Sequence, residues 1–328
     1  APFWAWAVAS VLLGLGFTFF SGAVEAWLVD ALKFTKFTGK LESVFAKGQV
    51  VQGAAMLVGS VAGGALAQAT NLGVPYIVRA GILVLNFALA FWLMKDLGFT
   101  RVPGKHPVKQ VGVIVGHSVD LGLRKPAVRW VLLMSPFTIG VISYGFYAAQ
   151  PYLLELWGDE KAYGVAGLAA AVMAGAQIAG GLLAPYIGRL FRRRTGMLVF
   201  GMLASAVVLF GVAWAPNFWV LVGLLVLWGL LFAAIMPVRS AYLNGMIPSQ
   251  QRATVLSFDS LLGSAGGVVT QPAFGKAADV WSYGTTYLLC AGTQLLAVPF
   301  AWLARQHPSD ADFISASENP ATPDKPAS

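Results

Sequence analysis

Four charged side chains sit where charge is expensive. Glu25 and Asp30 close the first long apolar run, in Ser21-Gly-Ala-Val-Glu-Ala-Trp-Leu-Val-Asp30. Arg239 closes another, in Met236-Pro-Val-Arg-Ser-Ala-Tyr-Leu-Asn244, and Asp259 lies about one turn inside the run that follows. A charge within hydrocarbon costs about 2.5–3.5 kcal/mol on insertion scales, so each needs a reason. Laying Asp30 over Asn244 places Glu25 on Arg239, so two opposite charges hold equivalent positions in two segments. A carboxylate and a guanidinium so placed would attract across a closing gap, and Asp259 is a competing partner for Arg239. The same side chains could instead snorkel from the span ends, or Glu25 or Asp259 could carry a proton.

A second set of side chains suits recognition. Polar and aromatic groups interrupt the apolar runs at Gln52, at Tyr144, Tyr147 and Gln150, at Gln177, at Trp228 and at Gln271. A few polar groups among aromatics suit flat or amphipathic organic molecules. An interfacial belt accounts equally for Tyr147, and core packing for Trp228. Enzyme chemistry has no foothold: there is no Ser/His/Asp arrangement, no phosphate-binding Walker loop and no Cys/His cluster. His106, His117 and His307 are too few and scattered for a metal site, and no cofactor is expected. Cys290 stands alone in an apolar run, which excludes an internal disulfide.

The elements that must carry these residues follow from composition. Hydrophobic residues make up 57 % of the chain and charged residues 11 %, against about a quarter charged in a soluble domain. Such a chain cannot cover a soluble surface, so it is read as an all-α polytopic membrane protein in contact with the bilayer. The net charge of +8 does not signal nucleic-acid binding, because the basic residues lie in short loops between apolar runs.

Nine runs are long enough to span, at 3–27, 45–68, 76–94, 128–150, 162–187, 196–214, 217–238, 254–275 and 283–304. Helix is the expected form for all, since unpaired backbone is too costly in lipid. Alternating the sides puts 19 of the 22 Lys and Arg residues on one face, which predicts that this face is cytoplasmic. Only Arg79, Lys161 and Lys276 fall opposite, with the acidic Glu155–Glu160 turn.

The predicted organisation is a three-helix segment over 1–94, an inner connection over 95–127, a six-helix half over 128–305 and a disordered cytoplasmic tail over 306–328. The connection is open to two readings, a solvated linker or a surface helix with one apolar face. The first run is too long for a signal-peptide core and ends in acids, so it reads as a spanning helix of a chain whose start is missing.

The last three helices repeat the first three. Each copy opens with a charged helix end and a basic inner loop, containing Lys40 in one and Arg252 in the other. A glycine-bearing helix follows, with Gly53, Gly59, Gly63 and Gly64 in one copy and Gly263, Gly266 and Gly267 in the other. Gly59-x-x-x-Gly63 has the form of a helix-packing motif. Repeats of this kind are typical of secondary transporters.

This architecture resembles the major facilitator superfamily. The Ser21–Asp30 segment looks like the fourth membrane helix of its bacterial drug-efflux members. Gly181-Leu-Leu-Ala-Pro-Tyr-Ile-Gly188-Arg189, followed by Arg192-Arg-Arg194, resembles the second-half copy of the family signature Gly-x-Leu-Ala-Asp-Arg-x-Gly-Arg, but departs from it at Pro185 and Tyr186. The resemblance implies a twelve-helix bundle of which nine helices are present, the first three being absent. It implies a central cavity lined by the first, fourth and seventh helices. It further implies a monomer in the cytoplasmic membrane that moves small molecules, with proton-coupled efflux of organic compounds as the expected activity. A scaffold or receptor-like protein on the same fold is the alternative, since function does not follow from fold.

Overall fold

The computed structural model describes residues 3–36, 41–95, 124–188, 190–247, 249–307 and 309–314. The side chains of Glu25, Asp30, Gln52 and Arg252 lie outside the described set, as do Arg189 and the greater part of the 95–127 connection.

Among the described residues nine α-helices follow one another and no β-strand occurs. They are α1 (Phe3–Phe34), α2 (Leu41–Ala69), α3 (Gly73–Leu93), α4 (Pro126–Trp157), α5 (Tyr163–Gly188), α6 (Arg194–Ala213), α7 (Phe218–Met246), α8 (Ser249–Val280) and α9 (Tyr283–Gln306), with a short 3-10 turn at Asp310–Asp312. Each expected apolar run is helical, because only a helix satisfies its own backbone within lipid. Several helices run past the expected ends. Pro151 does not stop α4, which continues to Trp157 and ends where Gly158 takes a left-handed turn at φ 82°. Asn217 caps α7 by accepting from the Val220 N–H at 3.0 Å, and Ser282 caps α9 by accepting from the Thr285 N–H at 3.1 Å.

By length and composition, α3, α4, α5, α6, α7 and α9 can cross a bilayer. Only part of α1 and α2 enters that comparison, and they contribute the shorter apolar stretches Ala7–Gly16 and Gly53–Ala69. α8 has 32 residues, but Asp259, Gln271, Lys276 and Asp279 make it less apolar than the other six. The protein is therefore an all-α, multi-pass membrane protein.

The chain forms two compact units. The first takes in Ala1–Ala54 and Leu72–Lys105. Within it the Trp27 indole N–H donates to the Lys95 carbonyl at 2.8 Å and ties α1 to the end of α3. No residue of α3 is buried.

The second unit takes in Ala55–Asn71 and His106–Ser328. There α4 packs on α8 and α9, α6 on α9 and α7, and α5 on α7. Two buried clusters succeed each other along the bundle. One centres on Tyr144, Tyr152, Leu209, Leu225, Tyr287 and Cys290, and the other on Leu132, Met134, Leu198, Met202, Tyr242 and Leu243. The buried Tyr287 hydroxyl donates to the Gly145 carbonyl at 2.8 Å.

Small residues set the closest helix contacts, though not at the expected motif. Nothing stands near Gly59 or Gly63 among the described residues, whereas Gly64 lies so close to Gly167 that a Cβ on it would come 2.8 Å from the Gly167 Cα. Gly266 of α8 lies against the Pro136 carbonyl of α4.

The disordered tail expected from 306 onward needs correction over 309–314. Arg193 at the N-cap of α6 provides no side-chain cap. Asp312 supplies one from 117 residues away: its carboxylate accepts from the Thr195 N–H at 2.9 Å and from the Thr195 hydroxyl at 3.0 Å. Arg194 donates to the Ala311 carbonyl at 2.7 Å, and Arg193 pairs with Phe313 in an antiparallel bridge. Polar composition suggested disorder, but a buried carboxylate at a helix start holds the segment down. Asp312→Ala should lower stability by about 2 kcal/mol, near the upper end for a lost cap because the site is dry. Thermal unfolding in detergent reads this, and Asp312→Asn should recover part of the loss. Equal melting of Asp312→Ala and the parent would dismiss the strap.

Candidate substrate cavity and its charge cluster

A cavity of about 290 Å3 opens among α2, α4, α5 and α7 of the second unit. Ile142, Phe146, Tyr147, Met173, Trp228 and Phe232 are its main apolar walls. Ser143 and Gln177 bring the polar groups, and no charged side chain lines it among the described residues. Trp228 is 6 % exposed, so one part of its ring is held in the core while another borders the cavity. Gly145 makes this possible, because a Cβ there would come 2.7 Å from the indole. Tyr147, 71 % exposed, forms the opposite kind of wall and meets Phe146 edge-on at 5.9 Å.

A smaller void of about 20 Å3 shares Ile142, Trp228 and Phe232 with the first and adds Thr138, Ser205 and Gln294.

The residues singled out from sequence divide by helical phase. Tyr147, Gln177 and Trp228 border the cavity. Tyr144 does not, since it turns into the core and meets Phe274 edge-on at 5.4 Å. Its hydroxyl is buried with no hydrogen-bond partner among the described residues. Gln150 and Gln271 are exposed and line no described cavity, and the Gln52 side chain lies outside the described set. Met173, Ser143 and Phe232 were missed, as apolar or small residues in runs full of the same types. Of the loop-signature residues, a Cβ on Gly181 or Gly188 would meet no atom within 4 Å among the described residues, while neighbouring Gly180 packs on Leu230 of α7.

About three turns along α7 from Trp228, Arg239 is 5 % exposed. Its two terminal nitrogens donate to the two Asp259 oxygens, at 2.8 Å and 2.6 Å. One of them also donates to the Ser135 hydroxyl and to the Val131 carbonyl at 3.4 Å. Ser135 in turn donates to Asp259. The fork-on-carboxylate geometry is the strong form of an ion pair. Three helices, α4, α7 and α8, meet at this point.

Of the two partners that the sequence offered for Arg239, the structure brings Asp259 to it. Ser135 was missed, and a hydroxyl side chain in an apolar run is the signal that could have drawn attention to it. The side chains of Glu25 and Asp30 lie outside the described residues. No group of His, Cys, Asp and Glu that could hold a metal occurs among the described residues.

Comparison with known proteins places this bundle. Two relatives, both named multidrug resistance protein MdtG, align with most of the chain. That of Dickeya zeae (strain Ech586) is 24 % identical over 270 residues, covering 80 % of this chain and 63 % of the relative. That of Salmonella typhimurium (strain LT2) is 25 % identical over 307 residues, covering 91 % of this chain and 71 % of the relative. The chain therefore spans less than two thirds of the first relative's length. A model of the Major Facilitator Superfamily matches residues 137–326, more than half of the chain. The chain belongs to the major facilitator superfamily.

Proposed function

We propose that the chain works in a secondary transporter that expels organic small molecules through the cytoplasmic membrane, coupled to protons. The observation that carries this reading is the aromatic cavity at Trp228, Tyr147 and Phe146, with Gln177 and Ser143 as its polar contacts. Ring faces of this kind attract flat molecules and organic cations. The relatives' name, multidrug resistance protein, agrees with such a cavity. Residues 128–305 form one six-helix half in this proposal, residues 1–94 belong to the other, and the protein acts as a monomer. The 95–127 connection and the C-terminus face the cytoplasm.

The Arg239–Asp259–Ser135 cluster is proposed as part of an inner gate. It joins three helices of one half, and rocking of the halves would load it. Glu25 is the proposed counterpart that approaches Arg239 when the inner side closes, in competition with Asp259.

Ethidium tests the function. Cells that make the protein at its native length should extrude ethidium, and a protonophore should stop them. Extrusion unchanged by deleting the gene removes the transport reading, and extrusion indifferent to the protonophore removes the coupling. Purified Trp228→Ala should bind ethidium about tenfold more weakly, the size of one lost aromatic contact, while Trp228→Phe keeps most of the affinity. Undiminished binding by a folded Trp228→Ala would place the substrate elsewhere.

A further inference from the structure

Where α5 ends and α6 begins, a third cavity, of about 480 Å3, is lined by Leu190, Phe191, Arg192, Arg193, Gly196 and Arg305. Three of these six residues carry guanidinium groups and none is acidic. Neighbouring rings hold two of the arginines. The Arg193 guanidinium lies 5.3 Å from the Phe313 ring centre, and that of Arg305 lies 5.5 Å from the Trp302 ring centre. The strap steadies the same loop, since the Ile314 N–H donates to the Arg192 carbonyl at 3.3 Å. Asp312 already occupies the Thr195 N–H, so attraction for an anion here comes from the side chains.

The surround is apolar. Leu190 is 81 % exposed, Trp302 is 51 % exposed, and Phe191 packs on Phe200 with ring centres 5.4 Å apart. A soluble anion would gain nothing from these surfaces, whereas an amphiphile would gain from both. α5, α6 and α9 are membrane-crossing helices by composition, and the cavity lies at their ends, the level at which headgroups sit.

We propose that this cavity binds the phosphodiester headgroup of an anionic phospholipid from the surrounding leaflet. Arg192 and Arg305 grip the phosphate, for which the guanidinium fork is well matched. The acyl chain runs along Leu190 and Trp302. Basic pockets at the ends of membrane helices have the right charge for such lipids. The inference rests on the membrane fold and not on transport.

The test is binding of fluorescent phosphatidylglycerol to the purified protein in maltoside micelles. Saturable binding is expected, with no competition from phosphatidylcholine and none from millimolar inorganic phosphate. The Arg192→Gln/Arg305→Gln double variant should bind about thirtyfold more weakly, and Lys276→Gln should match the parent. Equal binding of phosphatidylcholine overturns the proposal, as does displacement by inorganic phosphate, which would mark a site for a soluble anion. So does parental affinity in a double variant that melts normally. If the double variant fails to fold, Arg192→Lys/Arg305→Lys keeps the charge and loses the fork. It should still bind more weakly, and unchanged affinity would again overturn the assignment.

Discussion

Arg239→Gln is expected to cost about 3–5 kcal/mol of stability, because it strands the Asp259 carboxylate in a nearly dry site. Asp259 is only 14 % exposed and both its oxygens bind the guanidinium. Removing either charge leaves the other without its partner, so Asp259→Asn should fall in the same direction. The informative variant is the double replacement Arg239→Met/Asp259→Leu. Apolar side chains of similar volume avoid the cost of desolvating two charges, so the double variant should recover most of the loss. Thermal unfolding in detergent of the parent, Arg239→Met, Asp259→Leu and the double variant measures this. Additive losses would mean that the two residues do not act as a pair. Recovery of stability without recovery of ethidium extrusion would separate a gating role from a structural one.

Gly266→Ala is expected to cost about 3 kcal/mol, the upper part of the range for overpacking, through one added methyl group. That methyl would be driven into the Pro136 carbonyl, which is fixed backbone and not a movable side chain. The contact belongs to the extensively packed α4–α8 pair. Neighbouring positions cannot absorb the shift, since a Cβ on Gly140 would already meet Thr270 at 2.9 Å and one on Gly263 would meet Ile139 at 3.0 Å. Gly275→Ala, in the same helix with open space around it, should leave stability equal or slightly higher. The difference in melting temperature between these two alanine variants is the measurement. If they melt together, helix propensity and not close approach governs α8.

The positions of the helices were legible because lipid leaves the backbone little choice. Their rotations were not. α7 is apolar on nearly every face, so its sequence offers no polar stripe to say that Trp228 faces a cavity and Leu225 the core. The same lack of phase information made Tyr144 and Tyr147 look equivalent, although three residues of helix separate a core ring from a cavity wall. Charge was more informative. Arg239 and Asp259 stood out because a buried ion needs a partner, whereas Ser135 carries no such cost and gave no warning. The strap escaped notice for a different reason: Asp312 and Thr195 are 117 residues apart, and capping patterns are read only over a few neighbours.

The solitary Cys290 has a practical consequence. It is 0 % exposed in the core of the second unit, so within residues 1–328 an impermeant thiol reagent has no natural target. Within this stretch, a cysteine added at the surface becomes an addressable thiol without first removing Cys290. Glu160, in the turn after α4, and Gln306, at the end of α9, are exposed sites. With intact cells, Glu160→Cys should react from outside and Gln306→Cys only after the membrane is opened. The reverse pattern would invert the proposed orientation. Paired spin or fluorescent labels placed on this stretch would then report whether distances change as the proposed gate requires.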